Sequence, residues 1–210
     1  MEIALSLAVA FILCIGVAHA EAVPEAMEFL IPRDQLATQD RNPFMLAGRR
    51  MDESQPRWNE FEGALAAFPD TSSCLLPEER GKDVQNLLAF DWKAMRTFTE
   101  IDICVWRIAT TLDDLGLMRD WLAAQGFSGS YNTQSCDNAE RAPNAKDSSD
   151  FCGIDGVMSI EEVEAKTSIY DSMSFFTRWF WRGISRRAAL TVRFDHRLHV
   201  RDVSFGIITE

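Results

Sequence analysis

Two carboxylates two positions apart, Glu100 and Asp102, and two histidines three positions apart, His196 and His199, are the residues of this chain best placed for catalysis or metal binding. On a strand, residues i and i+2 share a face, so Glu100 and Asp102 would stand together like the acid and base of a glycosidase-type hydrolase. Outward charges on a half-exposed strand give the same pattern. His196 and His199 fall at an expected hairpin turn, where a spacing of three does not aim both imidazoles at one ion. Asp195 is the only nearby third ligand for a zinc-type centre. They read as surface turn residues, with a metal site as the weaker alternative. No G-x-S-x-G elbow occurs, and every cysteine beyond the first twenty residues is better used in a disulfide, so serine or cysteine nucleophilic chemistry lacks a committed base. Asp147, Asp150 and Asp155 lack the alternation and glycine of a calcium loop. No cofactor is expected.

The least ordinary segment runs Phe175-Phe176-Thr177-Arg178-Trp179-Phe180-Trp181-Arg182 and is followed by Arg186 and Arg187. From Arg178 to Arg201, seven arginines face a single acid, Asp195, a local net charge of +6. Rings beside guanidinium groups suit a membrane interface, where the rings sit at headgroup depth and the arginines bind phosphates. Alternatively the aromatics are core and the arginines line a solvated face, paired with acids of the same domain or of a second copy. On a helix Arg178 and Arg182 would share a face away from Phe176 and Phe180, which favours the second reading. The candidate binding residues are therefore Arg178, Trp179, Trp181, Arg182, Arg186 and Arg187.

The compartment decides what the cysteines do. Ile3 to Val17 is apolar apart from Ser6 and Gly16 and closes on Ala18-His19-Ala20, a small-x-small pattern that signal peptidase cuts. The run is shorter than the roughly 20 apolar residues of a membrane span. Its n-region, Met1-Glu2, has no Lys or Arg, and an uncleaved anchor is the rival reading. Residues 1–20 are thus expected to be a signal peptide that takes Cys14 with it, and the mature chain to be periplasmic or extracellular. The remaining Cys74, Cys104, Cys136 and Cys152 form an even set, the usual mark of two disulfides in an exported chain. Three pairings are possible. Cys136–Cys152 is favoured because it staples a polar loop, a closure worth about 3 kcal/mol, and Cys74–Cys104 follows by elimination. No C-x-x-C pair supports a zinc site instead. Loss of Glu2 reduces the 32 acids to 31 against 21 bases, so the mature net charge is −10, which argues against nucleic acid as a partner.

These groups need a frame, and residues 21–210 are long enough for one domain. Residues 21–54, rich in Pro, acids and Arg, are expected to form an irregular arm, and residues 55–210 a single α+β domain. Pro56 and the stripe Trp58, Phe61, Leu65, Phe68 predict a helix stopped by Pro69. Pro77-Glu78-Glu79 predicts another, burying Val84, Leu87 and Leu88 and interrupted by Gly81. From Thr97 to Ala109, Ile101, Ile103 and Val105 alternate with Glu100, Asp102, Cys104 and Trp106, which reads as a strand. Thr111 and Asp114 offer the start of a helix with the stripe Leu115, Met118, Trp121, Leu122, ended by Gly126, and Phe127–Tyr131 could complete a β-α-β unit. Asn132 to Asp150 is a polar loop, and Ser159-Ile160-Glu161-Glu162 has capping-box spacing for a helix to about Lys166. Leu190, Val192, Phe194 and then Val203, Phe205, Ile207 predict a C-terminal β-hairpin with one face on the core.

The fold expected is α+β: a small mixed or antiparallel sheet with a C-terminal hairpin, helices packed on one face, and two disulfides. The function expected is a non-enzymatic interaction module, acting on an unknown protein or envelope component, with peripheral membrane contact as one version of it. A small hydrolase using Glu100 and Asp102 is the alternative.

Overall fold

The computed structural model describes residues 26–132, 152–172, 174, 185–195 and 197–209. The signal-peptide reading of residues 1–20, the polar loop, and Cys136 lie outside them.

The longest helix begins where a threonine and a glutamate satisfy each other. The Thr97 hydroxyl accepts the Glu100 N–H at 3.2 Å and the Glu100 carboxylate accepts the Thr97 N–H at 3.1 Å, a capping box that opens α2, Phe98–Leu112. This corrects the strand expected over Thr97–Ala109. Ile101, Ile103, Cys104, Val105, Trp106, Arg107, Ile108 and Ala109 are all buried, so the helix is enclosed nearly all round. An enclosed helix loses the one-sided stripe that marks a surface helix, and a stretch of it then imitates strand alternation. The capping box was the signal that separates the two.

The other helices follow their local chemistry. α1, Trp58–Ala67, buries Phe61, Ala64 and Leu65 as its stripe requires. α3, Leu115–Ala124, starts with the Asp114 carboxylate accepting the Leu117 N–H at 2.7 Å and ends at Gly126, whose φ of +89° costs glycine nothing. α4, Ile160–Lys166, carries the expected capping box of Ser159 and Glu162. No helix follows Pro77. Residues 77–81 make turns, and β4, Val84–Asn86, pairs antiparallel with β1, Leu30–Pro32, leaving Val84 exposed. Gly81 weakens helix here, and the Glu79 carboxylate draws the segment back by accepting the Asn86 N–H at 3.1 Å.

The main sheet has the order β5-β6-β7-β8, all antiparallel: Ser128–Asn132, Cys152–Ser159, Ser185–Phe194 and Val200–Thr209. β7 and β8 are the predicted hairpin. Leu190, Val192, Phe194, Val203 and Phe205 are buried while Arg187, Arg193 and Ser204 on the alternate positions are exposed. β5 therefore pairs with β6 as an antiparallel neighbour and completes no β-α-β unit, since no strand precedes α3 where that unit needs one. The chain is a mixed α+β protein closed by a C-terminal hairpin.

Residues 26–54 are laid against this frame. β2, Met45–Leu46, and β3, Arg49–Arg50, form a small hairpin, and Phe29, Leu36, Phe44 and Met51 enter the same core cluster as the helices. Its turn needs Gly48: φ is +73°, and a Cβ there would stand 2.5 Å from Arg201 Nε. The arm is also tied down by Arg107, which is fully buried. Its Nη1 donates to the Asn42 carbonyl at 2.7 Å, its Nε to the Phe68 carbonyl at 3.4 Å, and its Nη2 to Gln39 Oε1. Burial pulls this guanidinium down to about 10, against the opposing charge of Asp70. A disulfide joins Cys74 to Cys104, Cα to Cα 5.5 Å, fixing the loop after α1 to α2. It is the one disulfide complete among the described residues. Cys152 is fully buried at the start of β6, and its expected partner, Cys136, is not described.

Candidate functional site

Glu100 and Asp102 do not meet as the acid and base of one cleft. Two residues along an α-helix rotate a side chain by about 200°, so they leave α2 on opposite sides. Glu100 serves the helix start, accepting the backbone N–H groups of Arg96 at 2.5 Å and Thr97 at 3.1 Å. Asp102 turns toward β8 and accepts the Phe205 N–H at 2.6 Å. Its surroundings push the carboxyl up to about 7. Burial is the largest cause, the Phe205 N–H opposes it, Asp202 raises it further and Arg57 lowers it. A carboxyl titrating near neutrality is the property a general acid needs, but Asp102 lines neither of the grooves described below.

His199 is exposed at the hairpin turn, with Nδ1 3.3 Å from Asp113 Oδ1. The turn is set by Asp195, whose carboxylate accepts the N–H groups of Arg197 at 2.8 Å and His199 at 3.0 Å. Together with Arg41, Asn42, Trp106 and Thr110, the His199–Asp113 pair borders a groove of about 370 Å³. No group of three or more His, Cys, Asp or Glu able to hold a metal occurs among the described residues. His196 lies outside them, as do Asp147 and Asp150, while Asp155 accepts the Thr191 hydroxyl at 2.7 Å.

Of the arginine-aromatic candidates, Arg187 is the one whose side chain is described. It stands on β7 opposite Ser159 of β6 and is exposed. It makes no ion pair with another described residue. Arg187 borders a groove of about 720 Å³ whose walls include Ser128, Gly129, Met158, Ser159 and Glu162. The position follows from strand lengths: β5 begins at Ser128, opposite Val157, so β6 runs two residues further than its neighbour and the space beside Met158 and Ser159 opens. Such a volume is of the size that holds small ligands or a partner's side chains. Arg186 lies in β7 with only its backbone described, and Arg178, Trp179, Trp181 and Arg182 lie outside the described residues.

Three interacting residues carried no functional signal in the sequence: Arg107, Asp202 and Arg57. Asp202 is buried, accepts the Ala47 N–H at 2.9 Å and faces Arg193 at 3.5 Å. Arg57 is paired to Glu60 at 2.6 Å and lies over the Phe61 ring at 5.3 Å. Arg107 and Asp202 act on partners far along the chain, which spacing does not reveal, whereas the Arg57 contacts lie three and four positions on. No described helix is long and apolar enough to cross a membrane.

The fold and grooves define an α+β domain with a disulfide at its core and an arginine-bordered groove at one end of its sheet. The chain matches no family model, no curated protein and no solved structure.

Proposed function

We propose that the chain is an exported, non-enzymatic interaction module, braced by two disulfides, that binds a protein or envelope component through the groove bordered by Arg187. The observation that carries this reading is a cation left exposed at the edge of an open groove. An arginine with no ion pair among the described residues has its donors available for a carboxylate or phosphate. The Cys74–Cys104 disulfide fits an oxidising compartment, and the burial of Cys152 supports a second bridge to Cys136. The hydrolase alternative draws on Asp102 alone, because Glu100 is occupied at the start of α2.

The test is a charge reversal. Arg187→Glu should leave thermal unfolding unchanged while abolishing capture of a specific partner from the protein's own compartment. Vesicles of phosphatidylethanolamine and phosphatidylglycerol form the second arm: binding lost on reversal assigns the partner to the membrane surface. Partner capture and vesicle binding both unaffected by Arg187→Glu would remove this reading.

A further inference from the structure

The seam between α2 and β8 holds two carboxylates from distant parts of the chain, and each fastens a different piece of backbone. Asp102 accepts the Phe205 N–H of β8 at 2.6 Å, and Asp202 of β8 accepts the Ala47 N–H of the β2–β3 turn at 2.9 Å. β8 is the last strand of the main sheet, so these contacts secure its outer side to the helix and to the small hairpin. Among the described residues, the cations facing them are few. Arg57 acts on Asp102 but is engaged by Glu60 at 2.6 Å, and Arg193 reaches Asp202 at 3.5 Å. Arg201 packs beside Gly48 in the same hairpin turn.

We propose that this seam is a proton-operated latch: with a proton on Asp102, β8 and the β2–β3 hairpin stay clamped to α2, and loss of that proton loosens them. Ionising Asp102 places a second negative charge in a partly buried seam beside Asp202, where burial penalises charge and Arg57, the cation acting on Asp102, is already paired with Glu60. The Phe205 N–H favours the ionised form, but burial outweighs it and pushes the carboxyl up to about 7, within the range an exported protein meets. The latch is independent of the Arg187 groove.

Hydrogen exchange on the oxidised full chain tests this, with rates corrected for the intrinsic effect of pH. Between about pH 6 and about pH 8.5, peptides covering β8 should lose roughly tenfold more protection than peptides covering α3. In Asp102→Asn, which keeps an acceptor for the Phe205 N–H, that extra loss should vanish. Equal loss in β8 and α3, or an extra loss that persists in the Asn variant, overturns the proposal. Carboxyl carbon NMR of the unsubstituted chain decides the matter even if the variant does not fold. A midpoint near 7 for Asp102 that falls in Asp202→Asn supports the latch, and a midpoint below about 5 overturns it.

Discussion

Replacing Arg107 with methionine keeps most of the buried side-chain volume and removes every donor. The Asn42 carbonyl, the Phe68 carbonyl and Gln39 Oε1 then lose the guanidinium that serves them. A buried acceptor left unsatisfied costs about 1–3 kcal/mol. The Phe68 contact is long at 3.4 Å, and Trp106 Nε1 still reaches the Asn42 carbonyl at 3.4 Å, so the losses are partial. The variant also avoids dehydrating a charge, which offsets part of the deficit. The expected net destabilisation is about 2–4 kcal/mol, a large share of the roughly 5–15 kcal/mol that holds a domain together. Urea unfolding followed by tryptophan fluorescence measures it, with Trp106 as the reporter neighbour. At a slope of about 2 kcal/mol per molar, the midpoint should fall by roughly 1–2 M. Arg107→Lys should fall less than Arg107→Met, since one ammonium can still serve one carbonyl. A methionine variant within about 0.3 M of the parent would refute the claim that this arginine fastens the arm.

Other substitutions test separate joints of the fold. Replacing Cys74 and Cys104 together with alanine opens a bridge between positions 30 apart and should cost about 3–4 kcal/mol in denaturant unfolding; a loss under about 1 kcal/mol would count against the bridge as a stabiliser. Asp102 is raised from 3.8 to about 7 in the folded chain, so its contribution to stability is fully present below 3.8 and is lost as pH rises to about 7. The loss is at most about 4 kcal/mol, and across that window the stability of the parent measured relative to Asp102→Asn should fall as pH rises. Gly48→Ala forces a left-handed alanine against the Arg201 guanidinium and should lower stability by about 1–2 kcal/mol; an unchanged melting temperature would show that the turn relaxes freely.

Local chemistry made much of this fold legible. The α1 and α3 stripes, the Ser159–Glu162 box of α4 and the alternation of the β7–β8 hairpin each depend on residues a few positions apart, and each element formed where those residues place it. α2 reads as a strand because burial on nearly all sides erases the contrast that periodicity measures, while Thr97 and Glu100 mark its helical start in plain view. The segment after Pro77 followed its glycine and the Glu79–Asn86 contact, overriding a weak helical stripe. The charge and aromatic neighbourhood of Arg187 mark it in the sequence as a binding candidate, and the fold leaves it exposed beside a groove. The groove itself was not legible, because it depends on β6 outrunning β5, a register set between strands over twenty residues apart. Asp202 and Arg107 escaped for the same reason: a buried charge is recognised by its partners, and theirs lie in the N-terminal arm.

Intact-mass analysis of the native protein, with and without reduction and thiol labelling, tests the central claim that this is an exported chain with four oxidised cysteines. The account predicts a polypeptide beginning at Glu21, about 4 Da lighter than its reduced form and blank to thiol reagents until reduced. A polypeptide that still carries Met1, or one that takes up label at Cys136 or Cys152 before reduction, would contradict it.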